Sequence, residues 1–475
     1  MSNLTSNKYF NFGLIALAIV WVVVYSSITL TTKPRLWVDE AKSIELAESF
    51  ADYGKLDIQT APGKFSGIPQ LLQSTGYPVT APLALIFKIF GNSLVAARVF
   101  MLAWMIAALI GIYSLGRRIF GEKEAILAVF LTASFASFFD SGRTVVGEIP
   151  GFVFLTCGIY CCLLKKNYYL SGLFLGLAVV TKPSVFLAIA PAIFLAFIFE
   201  GRGFIGKILK TGIGMIPAAI GWILLVLGNP FVKSSWESIL NFFKNPYSSD
   251  SVGGNMLSNF LGFFHSTTLI YFGILFLVVI TARFFLNDQK LKSIYNFAII
   301  YGALAFVYYL RSPGWLRYIV VAELLILFLL PEALRIIADK IPKIGGCAVR
   351  LVATGAVFLI AVQTFHLFTA AQIYTSDTAI KTADYLNEKF SGKSIGVMNS
   401  LGVSILLDAD KKYQIVEMAG IPVIGENPLS ANPLPEVIVS VIGDKFLEQG
   451  RPVLEKKYRL TDNFDGYDIY TLAGF

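Results

Sequence analysis

Apolar runs recur along the chain near residues 10–30, 93–115, 124–140, 149–164, 167–181, 183–199, 208–228, 266–286, 293–310, 315–334 and 348–368. Each is long enough, or nearly so, to cross a hydrocarbon layer of about 30 Å. The pattern predicts an α-helical polytopic membrane protein with about 11 spans, in a range of roughly 10–13. Two intervals break the rhythm. Residues 31–92 form a long loop in which Trp37–Tyr53 places Ala41, Ile44, Ala47 and Ala51 at helical spacing. That spacing predicts an amphipathic helix on the membrane surface. Pro82–Phe90 predicts a second short apolar helix lying in the interface. From residue 370 onward the long runs stop. Thr378–Phe390 reads as a helix, Ser394–Met398 and Glu436–Ile442 as strands, and Asp465-Gly466 as the turn of a final hairpin. The organisation expected is a transmembrane domain over 1–369 followed by a small soluble α/β domain over 370–475.

Composition sharpens this reading. Of 475 residues, 56% are hydrophobic and 15% charged, against about 25% charged in an ordinary soluble domain. Charge is unevenly distributed: residues 1–369 carry 29 Lys/Arg against 17 Asp/Glu, and residues 370–475 carry 10 against 14. A basic membrane part suits cytoplasmic loops and an anionic lipid substrate, so the charge calls for no nucleic-acid partner. Lys8 precedes the first apolar run, which is too long for a signal-peptide core and fits an uncleaved anchor. With the N-terminus in the cytoplasm, 16 Lys/Arg fall in inside loops and six in the short outside loops, as the positive-inside rule requires. Loop 31–92, loop 229–265 and the tail then lie on the non-cytoplasmic side of a cell membrane. Cys157, Cys161, Cys162 and Cys347 sit in or beside apolar runs, and the tail has no cysteine, so no disulfide framework is indicated.

The outside face gathers ionisable residues at helix mouths, where charge is costly. Asp39 and Glu40 follow the first span; Arg143 and Glu148 lie between the third and fourth; Lys182 stands in the break before Pro183; Arg311 and Arg317-Tyr318 flank Pro313-Gly314-Trp315. Each has a bland alternative. Asp39 reads equally as an N-cap of the surface helix, Glu148 as an N-terminal acid paired with Arg143, and Lys182 as a snorkelling end residue. Their gathering on one face points further. Arg and Lys bind phosphate, while an acid activates a hydroxyl nucleophile. That is the chemistry of sugar transfer from a polyprenyl phosphate.

The order of these features resembles the GT-C superfamily, and most closely its family-39 branch of protein mannosyltransferases and lipid A aminoarabinose transferases. The series runs Asp39-Glu40, Tyr77-Pro78 with Pro82-Leu83, Phe90-Gly91, Arg98, Gly116-Arg117-Arg118-Ile119-Phe120-Gly121, Arg143, Glu148-x-Pro150, Thr181-Lys182-Pro183 and Arg317-Tyr318. It covers about residues 10–340. The resemblance implies that Asp39 is the base taking the acceptor's proton, that Glu40 orients the site, and that Glu148 is a second site acid. It implies that Lys182, Arg317, Arg143, Arg311 and Tyr318 hold the donor phosphate, with Tyr77, Arg98 and His265 as substrate-pocket residues. A divalent metal, where one is used, would fall to Asp39 and Glu148; no other cofactor is implied. Glu148 departs from the Asp that many members carry, and the Tyr77–Pro82 spacing has an insertion. The expected function is an inverting membrane glycosyltransferase with a polyprenyl-phosphate sugar donor and an acceptor of unspecified class. The alternatives are a lipid-linked glycan flippase and an oligosaccharide ligase or polymerase.

Overall fold

A computed structural model describes residues 8–201, 203–227, 231–244, 252–340, 348–369, 376–408, 411–418, 420–464 and 466–474. Cys347 and Asp465, both named above, lie outside the described residues. The first part of the chain gives α1 (Lys8–Ile28), α2 (Val38–Tyr53), strands β1 (Gln59–Ala61) and β2 (Lys64–Phe65), α3 (Pro69–Leu72), α4 (Tyr77–Phe90) and α5 (Leu94–Ile119). Next come α6 (Glu122–Ala133), α7 (Ala136–Arg143), α8 (Glu148–Leu163), α9 (Tyr168–Thr181), α10 (Pro183–Phe186), α11 (Ile189–Glu200) and α12 (Phe204–Trp222). They are followed by α13 (Lys233–Lys244), α14 (Val252–Phe263), α15 (Thr267–Phe285), α16 (Gln289–Arg311), α17 (Val320–Asp339) and α18 (Ala348–Thr369). The tail contains α19 (Thr378–Lys389), β3 (Ile395–Met398), α20 (Leu401–Ser404), β4 (Lys412–Ile415), β5 (Val437–Val441), α21 (Lys445–Gln449), α22 (Arg451–Lys457), β6 (Tyr458–Phe464) and β7 (Tyr467–Leu472).

The chain divides into two compact units. The first comprises Met1–Thr29, Met101–Trp222 and Asp250–Ile373; the second comprises Leu30–Phe100, Ile223–Ser249 and Tyr374–Phe475. Across the described residues, six helices are long and apolar enough to cross a bilayer, or seven if the bent pair α6–α7 is one span. Shorter apolar helices make up the rest, among them Glu148–Leu163 and Tyr168–Thr181.

In the first unit, the run 124–140 is not one straight span. It bends by 67° between α6 and α7. Ser134 sits at the break, its Oγ 2.9 Å from Phe130 O and 2.7 Å from Gln363 Oε1; such back-bonding competes with the helix's own ladder. The run 315–334 also shifts. A single 3₁₀ turn, Leu316–Tyr318, precedes α17, which then continues to Asp339. Every residue of α17 from Val320 to Ala333 is buried, so it is a core helix of this unit. α9 and α12 approach closely because Gly172 faces Thr211 O and Gly214 faces Tyr169 O, with no room for a Cβ at either glycine.

The second unit joins loop and tail. A five-stranded sheet runs β4-β3-β5-β7-β6, parallel across β4, β3 and β5 and antiparallel across β5, β7 and β6. Side chains alternate across it: Ile395, Val397, Val437 and Val439 enter one core, while Met398 and Ile438 enter the other. The expected strands and closing hairpin are present, with Gly466 at φ +90° in the turn; β4 was not expected. A third core mixes Ala41, Leu46, Ile58 and Leu72 of the loop with Leu401, Val416, Met418 and Ile424 of the tail. The tail therefore shares its core with the loop and does not stand apart from residue 370. α2 differs correspondingly from a surface helix. Residues Glu40 to Ala47 are all buried, far beyond the stripe of Ala41, Ile44 and Ala47.

Candidate active site

In the second unit the acids of α2 are sorted by their partners. The N-cap position of α2 belongs to Trp37, and Asp39 lies inside the first turn, so Asp39 does not cap the helix. It still sits where a negative charge favours the helix dipole. Its carboxylate remains partly accessible, and Lys42 Nζ, itself buried, lies 3.0 Å from Oδ1. One helical turn separates the two, which is the spacing at which side chains meet on one face. Glu40 points elsewhere. It accepts from Arg98 in a bidentate pair, Nε to Oε1 at 2.9 Å and Nη2 to Oε2 at 2.7 Å, with both side chains wholly buried. Arg98 Nη1 also donates to Leu30 O at 2.8 Å. This fork ties the start of α2 to the first turns of α5. Glu40 and Arg98 are thus brought together as a support for Asp39's helix. Tyr77 opens α4, half-buried beside Pro78 in the first turn.

In the first unit, Glu148 begins α8 and Lys182 lies between α9 and α10. Lys182 Nζ stands 3.5 Å from Glu148 Oε1, and both side chains are buried. Among the described residues, neither oxygen of Glu148 receives a hydrogen bond. Glycines permit this approach: a Cβ on Gly147 would fall 2.5 Å from Thr181 O and 2.9 Å from Lys182 Cβ, and one on Gly151 would meet the ring of Phe186. A buried carboxylate with a single cation and no donors is costly, and such groups collect at functional sites. Arg143 is not Glu148's partner. Its guanidinium reaches Thr29 Oγ1 at 3.0 Å, Ser26 O at 3.0 Å and Thr29 O, so it closes the C-terminal carbonyls of α1.

Arg317 packs against aromatic faces, its guanidinium 4.4 Å from the centre of Trp315 and 5.6 Å from that of Tyr318. A guanidinium stacked over indole is attracted by the ring face and held in a fixed plane. The loop holding it is fixed by Asn259, whose Nδ2 donates to Leu310 O at 2.9 Å and Ser312 O at 2.7 Å. Arg311 closes the last turn of α16, where a cation suits the dipole. His265 is exposed in the turn before α15 and is not brought to these groups. Among the described residues no group of three or more His, Cys, Asp or Glu is placed to hold a metal ion. Asp39 and Glu148 each already face an ammonium, a setting that does not fit a resident metal.

Residues 78–230 match the family model described as dolichyl-phosphate-mannose-protein mannosyltransferase. The whole structure matches ArnT from Cupriavidus metallidurans bound to undecaprenyl phosphate, with a TM-score of 0.66 at 13% identity, over 97% of this chain and 98% of that one. The chain has the ArnT fold over nearly its whole length. ArnT in its apo state matches this chain equally, with a TM-score of 0.67 at 13% identity over 97% and 98%. The Archaeoglobus fulgidus oligosaccharyltransferase, in complex with Zn and sulfate, matches with a TM-score of 0.58 at 13% identity, over 94% of this chain and 71% of that one. No curated protein matches the chain by sequence. The apolar helices and the fold together make it a membrane protein.

Sequence reasoning missed Lys42, although its position three residues after Asp39 carries the signal. It also missed Lys412 and Gln414, which meet α2 only through the fold.

Proposed function

We propose that this GT-C chain moves a sugar from a polyprenyl-phosphate-linked donor to an acceptor on the non-cytoplasmic face. The observation that carries the reading is the Glu148–Lys182 pair: a buried acid and cation, held by glycine contacts and lacking hydrogen-bond donors to the acid. Its fold neighbour ArnT, solved with undecaprenyl phosphate, supports a lipid-phosphate donor. In this reading Asp39 takes the proton of the acceptor hydroxyl. The acceptor oxygen attacks the anomeric carbon as the carbon–oxygen bond to phosphate breaks, with inversion. The polyprenyl phosphate leaves as an anion, needs no proton, and is stabilised by Lys182 and Arg317. Lys42 aims Asp39; Glu148 holds Lys182 in place.

The test uses the purified protein in lipid vesicles with a labelled polyprenyl-phosphate sugar and a panel of hydroxyl acceptors. Release of polyprenyl phosphate by the wild type, and its fall by about 100-fold or more in Asp39→Asn, is the expected result. Equal donor consumption by both proteins would remove Asp39 as the base. A carrier that flips the lipid without cleaving it would move the label across the bilayer intact.

A further inference from the structure

The second unit contains a charged cluster that the proposed chemistry does not use. Glu45 and Glu48 are three residues apart on one face of α2. Lys412, on the edge strand β4, lies 3.5 Å from Glu45 Oε2, with the lysine largely and the glutamate almost wholly buried. Lys412 also acts electrostatically on Glu48, whose other charged neighbours are Glu45 and Asp52. Beside it, Gln414 Nε2 donates to Glu45 Oε1 at 3.1 Å and to Gln59 O of β1. The Gln414 amide is fixed in turn by Ser404 Oγ, which donates to its Oε1 at 2.8 Å. Lys412 Nζ further donates to Ser404 O at 3.2 Å. The close passage continues at Gly425, which lies against Gln414 O and 3.3 Å, measured from an added Cβ, from Thr60.

Glu45, buried, and Glu48, half-buried, share one helix face and would repel more strongly without the opposing charge of Lys412. The strand therefore supplies a cation and an oriented amide to this stretch of α2. At the other end of the same helix, Glu40 is forked by Arg98. α2 is thus held at two points about a turn and a half apart, and Asp39 rides on the same rigid element.

We propose that Lys412 and Gln414 are positioning residues: the C-terminal sheet sets the rotation and depth of α2, and through it the aim of the Asp39 carboxylate. The sheet acts on catalysis without touching substrate. The proposal rests on Asp39 being the base, and one arm of its test does not.

That arm is hydrogen exchange on the full-length protein, comparing wild type with Lys412→Met and Gln414→Met. Peptides covering residues 38–53 are expected to lose protection while those of α15 and α16 do not change. The second arm is transfer kinetics. Lys412→Met is expected to lower kcat by about 10- to 100-fold, the size of effect an ångström of misplacement produces, with KM for the donor within about twofold. Lys412→Arg, which restores the cation, is expected to recover most of kcat. Gln414→Met keeps the ion pair and buries no lone charge, so it decides the matter if Lys412→Met fails to fold. A folded Gln414→Met or Lys412→Met protein with wild-type protection of α2 and wild-type kcat overturns the proposal. Altered protection with no transfer by any protein, wild type included, leaves the positioning intact and removes the transferase reading.

Discussion

Three acids on α2 illustrate how one helix assigns different work to similar side chains. Asp39 keeps partial access and one ammonium, Glu40 is consumed by a buried guanidinium fork, and Glu48 is left in a crowded acidic setting. Burial pushes the Glu48 carboxyl up to about 7, with Glu45 and Asp52 adding to the rise and Lys412 opposing it. Its pKa is therefore above its value in the unfolded chain, and the folded state binds more protons between roughly pH 4.5 and 7. Stability of the second unit should fall as pH rises through that window and level off above it. Glu48→Gln should flatten the dependence; thermal unfolding of the purified protein from pH 4.5 to 8 is the measurement. Removing a partner from the Glu40–Arg98 fork is a different matter. Arg98→Met leaves a lone buried carboxylate and should destabilise by about 3–5 kcal/mol, whereas Asp39→Asn should leave the melting temperature nearly unchanged.

These residues were legible to unequal degrees. Asp39, Glu148 and Lys182 stood out because ionisable groups beside apolar runs are expensive. What their partners would be was not legible. Arg143 looked like a match for Glu148 by proximity in sequence, but the free carbonyls at the end of α1 claim its donors. Lys412 carries no local signal at all, since the chain brings it to Glu45 only when the sheet is built.

At the scale of elements, glycines decide where helices touch. The starts of α8 and α10 meet because Gly147 and Gly151 leave space for Thr181, Lys182 and Phe186. Gly151→Leu should force these segments apart, separate Glu148 from Lys182 and abolish transfer, while Gly253→Ala, with nothing near its Cβ, should be silent; vesicle-based activity beside a folding assay distinguishes the two. Periodicity located most helices correctly because length and apolarity are local properties. It missed the 67° bend at Ser134 and the burial of α2. The first depends on a hydroxyl reaching back to its own helix, and the second on a tail several hundred residues away.

At the scale of the molecule, the division into two compact units does not follow the boundary that composition suggests. Polarity changes near residue 370, yet the second unit is assembled from three stretches, Leu30–Phe100, Ile223–Ser249 and Tyr374–Phe475. Deleting residues 376–475 would strip the partners from Ala41, Leu46, Ile58 and Leu72. The truncated protein is expected to lose protection in α2 and become sensitive to limited proteolysis within loop 31–92.

The shared core also imposes an order on synthesis. Leu72 leaves the ribosome 329 positions ahead of Leu401. At ordinary elongation speeds that is an interval on the order of 15–65 s. Through it, the early half of the core has no matching surface to bury against. The loop must wait, its core half-built, until Leu401, Val416, Met418 and Ile424 arrive and close it.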